Sequence, residues 1–236
     1  MNWYPLCEGK YIVGRNKTKS TNGKGKQSKE QHVTVHITPF LVKTNTDTIL
    51  LDTGLGRKEE NRNSILLKNL KKNNTKENDI TKILISHLHK DHTGGIFRNS
   101  DSSSLLFYNA FYFIQKDELV YARSNSSYAT LNKTQLEVLE NSSQVVLLTE
   151  ERGTIGDNIY YEKTKAHTPH HQVFWVKEGE KTIFFGGDDA PQSKQMKIRS
   201  MAKYDFNSRK AMDLRKKWTK ELESENATIL FYHDKY

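Results

Sequence analysis

Three histidines and one aspartate fall within six residues in the stretch His87-Leu88-His89-Lys90-Asp91-His92. Imidazole and carboxylate at this density are the side chains that hold metal ions. Neutral imidazole suits zinc, iron, copper and nickel, and carboxylate extends the range to manganese. His87 and His89 are two apart, so on an extended or looped segment they point the same way. Asp91 and His92 are adjacent and can aim at a second point close by. A lone histidine would carry no such argument, whereas four ligand-type residues after a buried strand do.

A site for two metals needs more ligands, and three later positions supply candidates. They are Ala166-His167-Thr168-Pro169-His170-His171, Gly186-Gly187-Asp188-Asp189, and His233 near the C-terminus. Each stands at the edge of an expected strand, where scaffold gives way to loop and a side chain can be aimed.

The elements that must position these residues are legible as hydrophobic runs. Residues 3–14 alternate loosely, as an opening strand or hairpin, and a polar loop of about 15–31 follows. Val33, Val35 and Ile37 alternate with polar neighbours, which leaves His36 on the exposed side of a half-buried strand. Further strands are expected at Phe40-Leu41-Val42, Ile49-Leu50-Leu51, residues 82–86, 111–114, 145–148, 160–161, 173–176 and 182–185. Glu178-Gly179-Glu180 turns the last two into a hairpin. Helices are expected over 61–73, 115–123, 131–140 and 207–223, the last capped by Asn207 or Ser208 with Trp218 in its apolar stripe. A final strand, 228–232, delivers His233.

The chain has 236 residues, enough for a substantial core in one domain, and no linker separates two. No apolar run is long enough to span a membrane. The N-terminal segment lacks the basic and apolar regions of a signal peptide, and the single Cys7 can form no internal disulfide, so a cytoplasmic protein is expected. Trp3, Tyr4 and Leu6 could pack against a partner, and oligomeric state is not legible. The formal charge of +9 raises the question of nucleic acid. Lys and Asn are spread throughout, however, and the densest basic run, residues 15–29, has no interleaved aromatics. A small-molecule substrate is therefore favoured over nucleic acid.

Taken together, Leu51-Asp52-Thr53-Gly54, His87-x-His89-x-Asp91-His92, the His167-Thr168-Pro169-x-His171 element, and Gly187-Asp188 followed by His233 resemble the metallo-β-lactamase-fold hydrolases. The resemblance implies an α/β (α+β) fold, a four-layer αββα sandwich over residues 1–236, with a dinuclear metal site at one edge. It implies that His87, His89 and His171 bind one divalent metal and Asp91, His92 and His233 the other, with Asp188 bridging. Asp52, His167 and His170 would lie outside the ligand set, Asp52 orienting a ligand histidine. The pair His170 and His171 leaves the choice of ligand open, with His171 favoured. Zinc is the expected metal, with manganese and iron open.

Two metals can share a water and activate it at neutral pH, and Asp91 could pass its proton to the leaving group. Residues 203–207 and 231–234 are similar to the lactonase-like branch, which includes the acyl-homoserine lactonases. That branch carries a Tyr three residues after the bridging Asp, where this chain has Pro191. The expected function is hydrolysis of a small ester or lactone. The alternatives are a phosphodiesterase or nuclease of the same fold, and a metal-binding protein without catalysis.

Overall fold

The computed structural model describes residues 1–13, 33–60, 62–98, 103–125, 128 and 131–236. The polar loop of about 15–31 lies outside the described residues. In chain order the strands and helices begin with β1 (Asn2–Pro5), β2 (Gly9–Val13), β3 (Val33–Ile37), β4 (Phe40–Lys43) and β5 (Thr48–Leu51). Then follow α1 (Ile65–Lys72), β6 (Lys82–Leu84), α2 (Lys90–Thr93), β7 (Phe111–Gln115), α3 (Lys116–Ser124), α4 (Lys133–Asn141) and β8 (Val145–Leu148). The remainder is β9 (Arg152–Ile155), β10 (Ile159–Lys163), β11 (Gln172–Glu178), β12 (Lys181–Phe185), α5 (Ser193–Lys197), α6 (Ser208–Ser224) and β13 (Thr228–Leu230).

The strands form two main sheets, ordered β1-β4-β5-β6-β7-β8 and β13-β12-β11-β10-β9, with β2 and β3 paired separately. Alternation along each strand sends its side chains to two different cores. Val42, Ile49, Leu51, Leu84 and Phe113 of the first sheet meet Ile159, Phe174, Ile183 and Phe185 of the second. On the outer face of the first sheet, Leu41, Leu50, Ile83 and Tyr112 pack on Leu66 and Leu70 of α1, Leu119 of α3 and Leu139 of α4. Outside the second, Val173 and Phe184 pack on Trp218 and Leu222 of α6. The result is the expected αββα sandwich. Among the described residues no helix is long and apolar enough to cross a membrane.

Several expected boundaries move for identifiable reasons. The helix expected over 61–73 starts at Ile65, because Ser64 caps it by accepting the Leu67 N–H at 3.3 Å. The opening segment splits: β1 pairs with β4, and β2 pairs with β3. Between them Leu6 is fully buried, and the Trp3 ring meets Phe40 and Tyr236 edge to face. β9 has no apolar alternation that would mark it in the sequence; it forms by pairing with β10.

Two contacts fix the loop that follows β5. Glu8, 2% exposed, accepts the Leu55 N–H at 2.6 Å. Gly54 (φ +75°) allows this approach, since a Cβ there would lie 2.6 Å from the Glu8 carboxylate. Gly56 and Gly94 then bring this loop against α2, with an added Cβ on Gly94 only 2.1 Å from the Leu55 backbone. Burial raises the Glu8 carboxyl from 4.5 to about 7, against the opposing pull of the Leu55 and Arg57 amides and the Arg57 charge. A raised carboxyl favours the folded state when protonated and costs stability as it ionises. Glu8→Gln therefore stabilises the protein at pH 8 by up to about 3 kcal/mol relative to its effect at pH 5. Urea denaturation of both proteins at the two pH values measures the difference.

Candidate metal centre

The His/Asp cluster is assembled where strands of both sheets end. Asp52 directly follows β5 in a left-handed conformation (φ +54°) and is fully buried. Its Oδ1 accepts the Ser86 N–H at 2.7 Å, and its Oδ2 accepts the Ser86 hydroxyl at 2.7 Å and meets His92 Nδ1 at 2.7 Å. One carboxylate thus holds the segment after β6 and orients the His92 ring. His89 caps the four-residue α2, which carries Asp91 and His92 in a single turn. The Tyr232 ring stacks on His92 at 4.1 Å, and its hydroxyl donates to the Asp91 carbonyl at 2.5 Å.

The ligand-type side chains gather into two groups: His87, His89, His167 and Asp188, and Asp91, His92 and His233. Asp188 faces both. Its Oδ1 lies 3.3 Å from His92 Nε2 and 3.0 Å from His233 Nε2. Its Oδ2 lies 3.3 Å from His167 Nε2. His89 Nδ1 is 2.8 Å from His87 Nε2 and 3.2 Å from His167 Nε2, so three imidazole nitrogens converge beside that oxygen. Asp91 Oδ2 is 3.7 Å from both His92 Nε2 and His233 Nε2. His233 is oriented from behind by the His36 carbonyl, which its Nδ1 meets at 2.7 Å. His36 thus contributes through its backbone, and its side chain is half-buried rather than exposed.

Of the histidines after β10, His167 falls in the first group, while His171, the favoured ligand, lies beside it with its ring centroid 5.0 Å from that of His87. His171 Nε2 accepts the Asp188 N–H at 3.2 Å, while Nδ1 faces Asp189 Oδ2 at 3.0 Å and the Thr164 hydroxyl at 3.2 Å. Both ring nitrogens are engaged, and the ring positions the Asp188 backbone. Gly187 (φ +49°) makes room for it, since a Cβ would lie 2.8 Å from His171 Nε2. His170 is also outside the cluster, with Nδ1 4.0 Å from Asp117 and its ring against Tyr121. His167 instead directs Nε2 inward while Nδ1 meets Asp205 Oδ1 at 2.9 Å. Asp189 and Asp205 are supporting carboxylates that the sequence reading left out. Asp189 directly follows Asp188, and Asp205 lies in the 203–207 segment, but neither position announces its partner.

Glu118 was also not foreseen. This carboxylate, 1% exposed, accepts the Leu88 N–H at 2.9 Å and the Thr168 hydroxyl at 3.1 Å, and it pairs with the Tyr128 hydroxyl. It ties the loop bearing His87 and His89 to the loop bearing His167.

Electrostatics sort the cluster. Burial and the neighbouring His92, His89 and His167 hold His87 well below 6.5, and burial lowers His89 to about 4. Burial would raise Asp188, but His233, His92 and His167 together hold it well below 3.8. Against the pull of burial, the Asp188 carboxylate above all raises His92, His167 and His233, so a metal bound by these rings would displace protons from them. His92 Nε2 and Asp188 Oδ1 are also buried without a hydrogen-bond partner. Buried polar atoms without a partner are costly. Imidazole nitrogens and carboxylate oxygens facing one another in an all-N/O donor set fit divalent cations of the zinc, manganese or iron type.

Residues 34–98 match the family model of the metallo-beta-lactamase superfamily. Comparison with curated proteins gave no match. Among solved structures, the chain is similar to a probable metal-dependent hydrolase from Staphylococcus aureus, with a TM-score of 0.79 and 17% identity over 99% of this chain and 89% of that one. It is similar to a dizinc quorum-quenching lactonase solved with its product (TM-score 0.67, 24% identity, 86% of this chain and 74% of that one). An N-acyl homoserine lactone hydrolase with N-hexanoyl-L-homoserine at its catalytic metal center aligns at TM-score 0.69 and 20% identity, over 98% of this chain and 92% of that one. At these identities the likeness is one of fold, and that fold is the metallo-β-lactamase fold.

Two outcomes check the site. Asn tolerates the left-handed backbone at position 52 but cannot replace both carboxylate oxygens. Asp52→Asn therefore lowers zinc affinity about 10–100-fold, measured by chelator competition. His167→Ala loses bound metal on elemental analysis, whereas His171→Gln retains it.

Proposed function

We propose that the protein is a metal-dependent hydrolase of a small ester or lactone, working as one domain with two divalent cations, zinc first. His87, His89 and His167 would hold one cation, Asp91, His92 and His233 the other, and Asp188 both. The observation that carries this reading is Asp188, whose two oxygens are 3.0–3.3 Å from imidazole nitrogens of the two separate groups. When bound, a pair of divalent cations supplies nucleophilic water at neutral pH and Lewis acidity toward a substrate oxygen.

The chain's own groups do the rest. Asp91 is the more exposed of the two carboxylates in the cluster, its side chain 30% accessible against 10% for Asp188. Its Oδ2 can take the proton of an attacking water and return it to a departing alkoxide. The Tyr232 hydroxyl on the Asp91 carbonyl and the stacking of its ring on His92 keep that carboxylate aimed. Tyr204 and Phe206, 64% and 66% exposed, flank the His167 side and offer an apolar wall to an acyl or aryl group. Pro191 has no hydroxyl to polarise a carbonyl; its own carbonyl accepts the His233 N–H at 2.9 Å. The lactonases sharing this fold support the choice of a lactone or ester over a phosphodiester.

Metal-loaded protein should turn over a simple lactone or aryl ester, lose activity to a chelator and regain it with zinc. Turnover of a bis-aryl phosphodiester alone would replace the ester reading with a phosphodiesterase. Two bound metals with no turnover of any of the three would make it a binding protein.

A further inference from the structure

The chain between α5 and α6 carries large apolar side chains into solvent beside the metal centre. Ile198, Met201, Tyr204 and Phe206 are 47%, 60%, 64% and 66% exposed. Exposed apolar side chains gathered on one short segment mark a binding surface, whereas single ones scattered over a protein do not.

Tertiary contacts brace this segment against the centre. Asp205 Oδ1 meets His167 Nδ1 at 2.9 Å, and the Tyr204 ring stands edge to face on His167 with 5.7 Å between centroids. The Phe206 N–H donates to the His167 carbonyl at 3.0 Å and the Asn207 N–H to the Ala166 carbonyl at 2.8 Å. Arg215, 2% exposed in α6, donates to the Ser200 carbonyl at 2.6 Å and to the Asp189 carbonyl at 2.9 Å. The backbone is thus tied at Ser200, Phe206 and Asn207, and whatever covers the exposed side chains meets the His167 side of the centre.

Charge narrows what that cover is. Lys194, Lys197, Arg199, Lys203 and Arg209 are interleaved with the apolar residues and are all exposed. From position 194 to 209 the one acid is Asp205, turned onto His167 with 1% of its side chain accessible. The chain is basic throughout, so cations alone would mean little; here they alternate with apolar side chains on one braced segment. Protein interfaces are depleted in Lys, and of the four apolar side chains only Tyr204 and Phe206 could stack on nucleic-acid bases. An anionic lipid surface takes all of them. Apolar side chains enter the acyl boundary while Lys and Arg stay among the headgroups.

We propose that the segment from Lys194 to Arg209 docks the protein on an anionic phospholipid surface, with Ile198, Met201, Tyr204 and Phe206 entering the boundary between headgroups and acyl chains. Docking there turns the His167 side of the metal centre toward the lipid. A further step rests on the ester-hydrolase reading: the substrate is then an ester or lactone dissolved in that surface. Docking itself does not depend on that reading.

The test uses the metal-loaded full chain and three variants at exposed positions. Lys194→Gln/Lys197→Gln/Arg199→Gln removes charge from the segment, and Ile198→Ser/Met201→Ser removes apolar surface. Lys71→Gln/Lys72→Gln/Lys76→Gln removes the same charge from the end of α1 and the turn beyond it, outside the other sheet. The first arm reads co-sedimentation with phosphatidylcholine vesicles, with and without phosphatidylserine. The wild type and the α1 variant bind the mixed vesicles alike and leave the neutral ones in solution. The charge variant binds about 100-fold more weakly, about fivefold for each cation. The Ser variant binds at least about tenfold more weakly. The second arm compares kcat/KM for p-nitrophenyl dodecanoate dissolved in the vesicles with that for p-nitrophenyl acetate in solution. Phosphatidylserine speeds hydrolysis of the dodecanoate at least about tenfold in the wild type. The charge variant loses that gain and keeps its turnover of the acetate.

No binding to mixed vesicles, or equal losses in the charge variant and the α1 variant, would overturn docking. Unaltered binding by the Ser variant would also overturn it, leaving only attraction between net charges. Binding of a single-stranded RNA oligonucleotide that the charge variant loses, without vesicle binding, would make the segment a nucleic-acid surface instead. Vesicle binding without a gain on the dodecanoate would overturn the lipid-dissolved substrate and leave docking standing. If neither ester is turned over, the hydrolase reading fails and sedimentation alone decides docking.

Discussion

A buried carboxylate surrounded by imidazoles sets the terms for the rest of the molecule. Asp188 is 8% exposed, and burying an ionised carboxylate without partners costs several kcal/mol. Its compensation comes from His92, His233 and His167, each brought from a different part of the chain. Those histidines are held in turn. Asp52 holds His92, the His36 carbonyl holds His233, and Asp205 holds His167. The centre is therefore a charge arrangement that exists only when both sheets are packed together.

That dependence explains where the stiff parts lie. β5 pairs in parallel with β6, and β12 with β13, so the loops carrying Asp52, His87, Asp188 and His233 all leave the strands at one edge of the sandwich. Gln172, at the start of β11, binds across that edge: its N–H donates to the Ser86 carbonyl at 3.0 Å and its side-chain amide to the Ile85 carbonyl at 2.7 Å. Glu118 spans the same gap from α3, joining Leu88 to Thr168. Side chains aimed by such buried, multiply bonded loops are preorganised, which a metal centre needs for both affinity and selectivity.

A cavity of about 600 Å³ beyond α2, lined by Lys90 and Thr93 among others, has a different physical character. The His/Asp cluster is largely buried and held from behind by carboxylates and backbone groups, whereas Lys58, Arg62, Lys90 and Arg98 at the cavity are exposed.

The local sequence determined much of this protein. Alternating and continuous apolar runs marked most of the strands, and the 3.6-residue stripe marked α6. The density of ligand-type residues at 87–92 marked the centre, because chemistry concentrated in six residues needs no partner to be read. Gly187-Asp188 and His233 were legible at strand ends, and the tertiary structure brings them to the cluster. Only that structure shows how His167 and His171 are each held. Both are imidazoles on one loop, four residues apart, and the difference lies in what stands behind each ring. Asp205, from beyond α5, turns His167 inward, while Asp189 and the Asp188 amide occupy both nitrogens of His171. The same limit hid Glu118, Asp189 and β9: each is defined by a partner distant in the chain, and a pairing of that kind leaves no periodicity or spacing for a sequence to display.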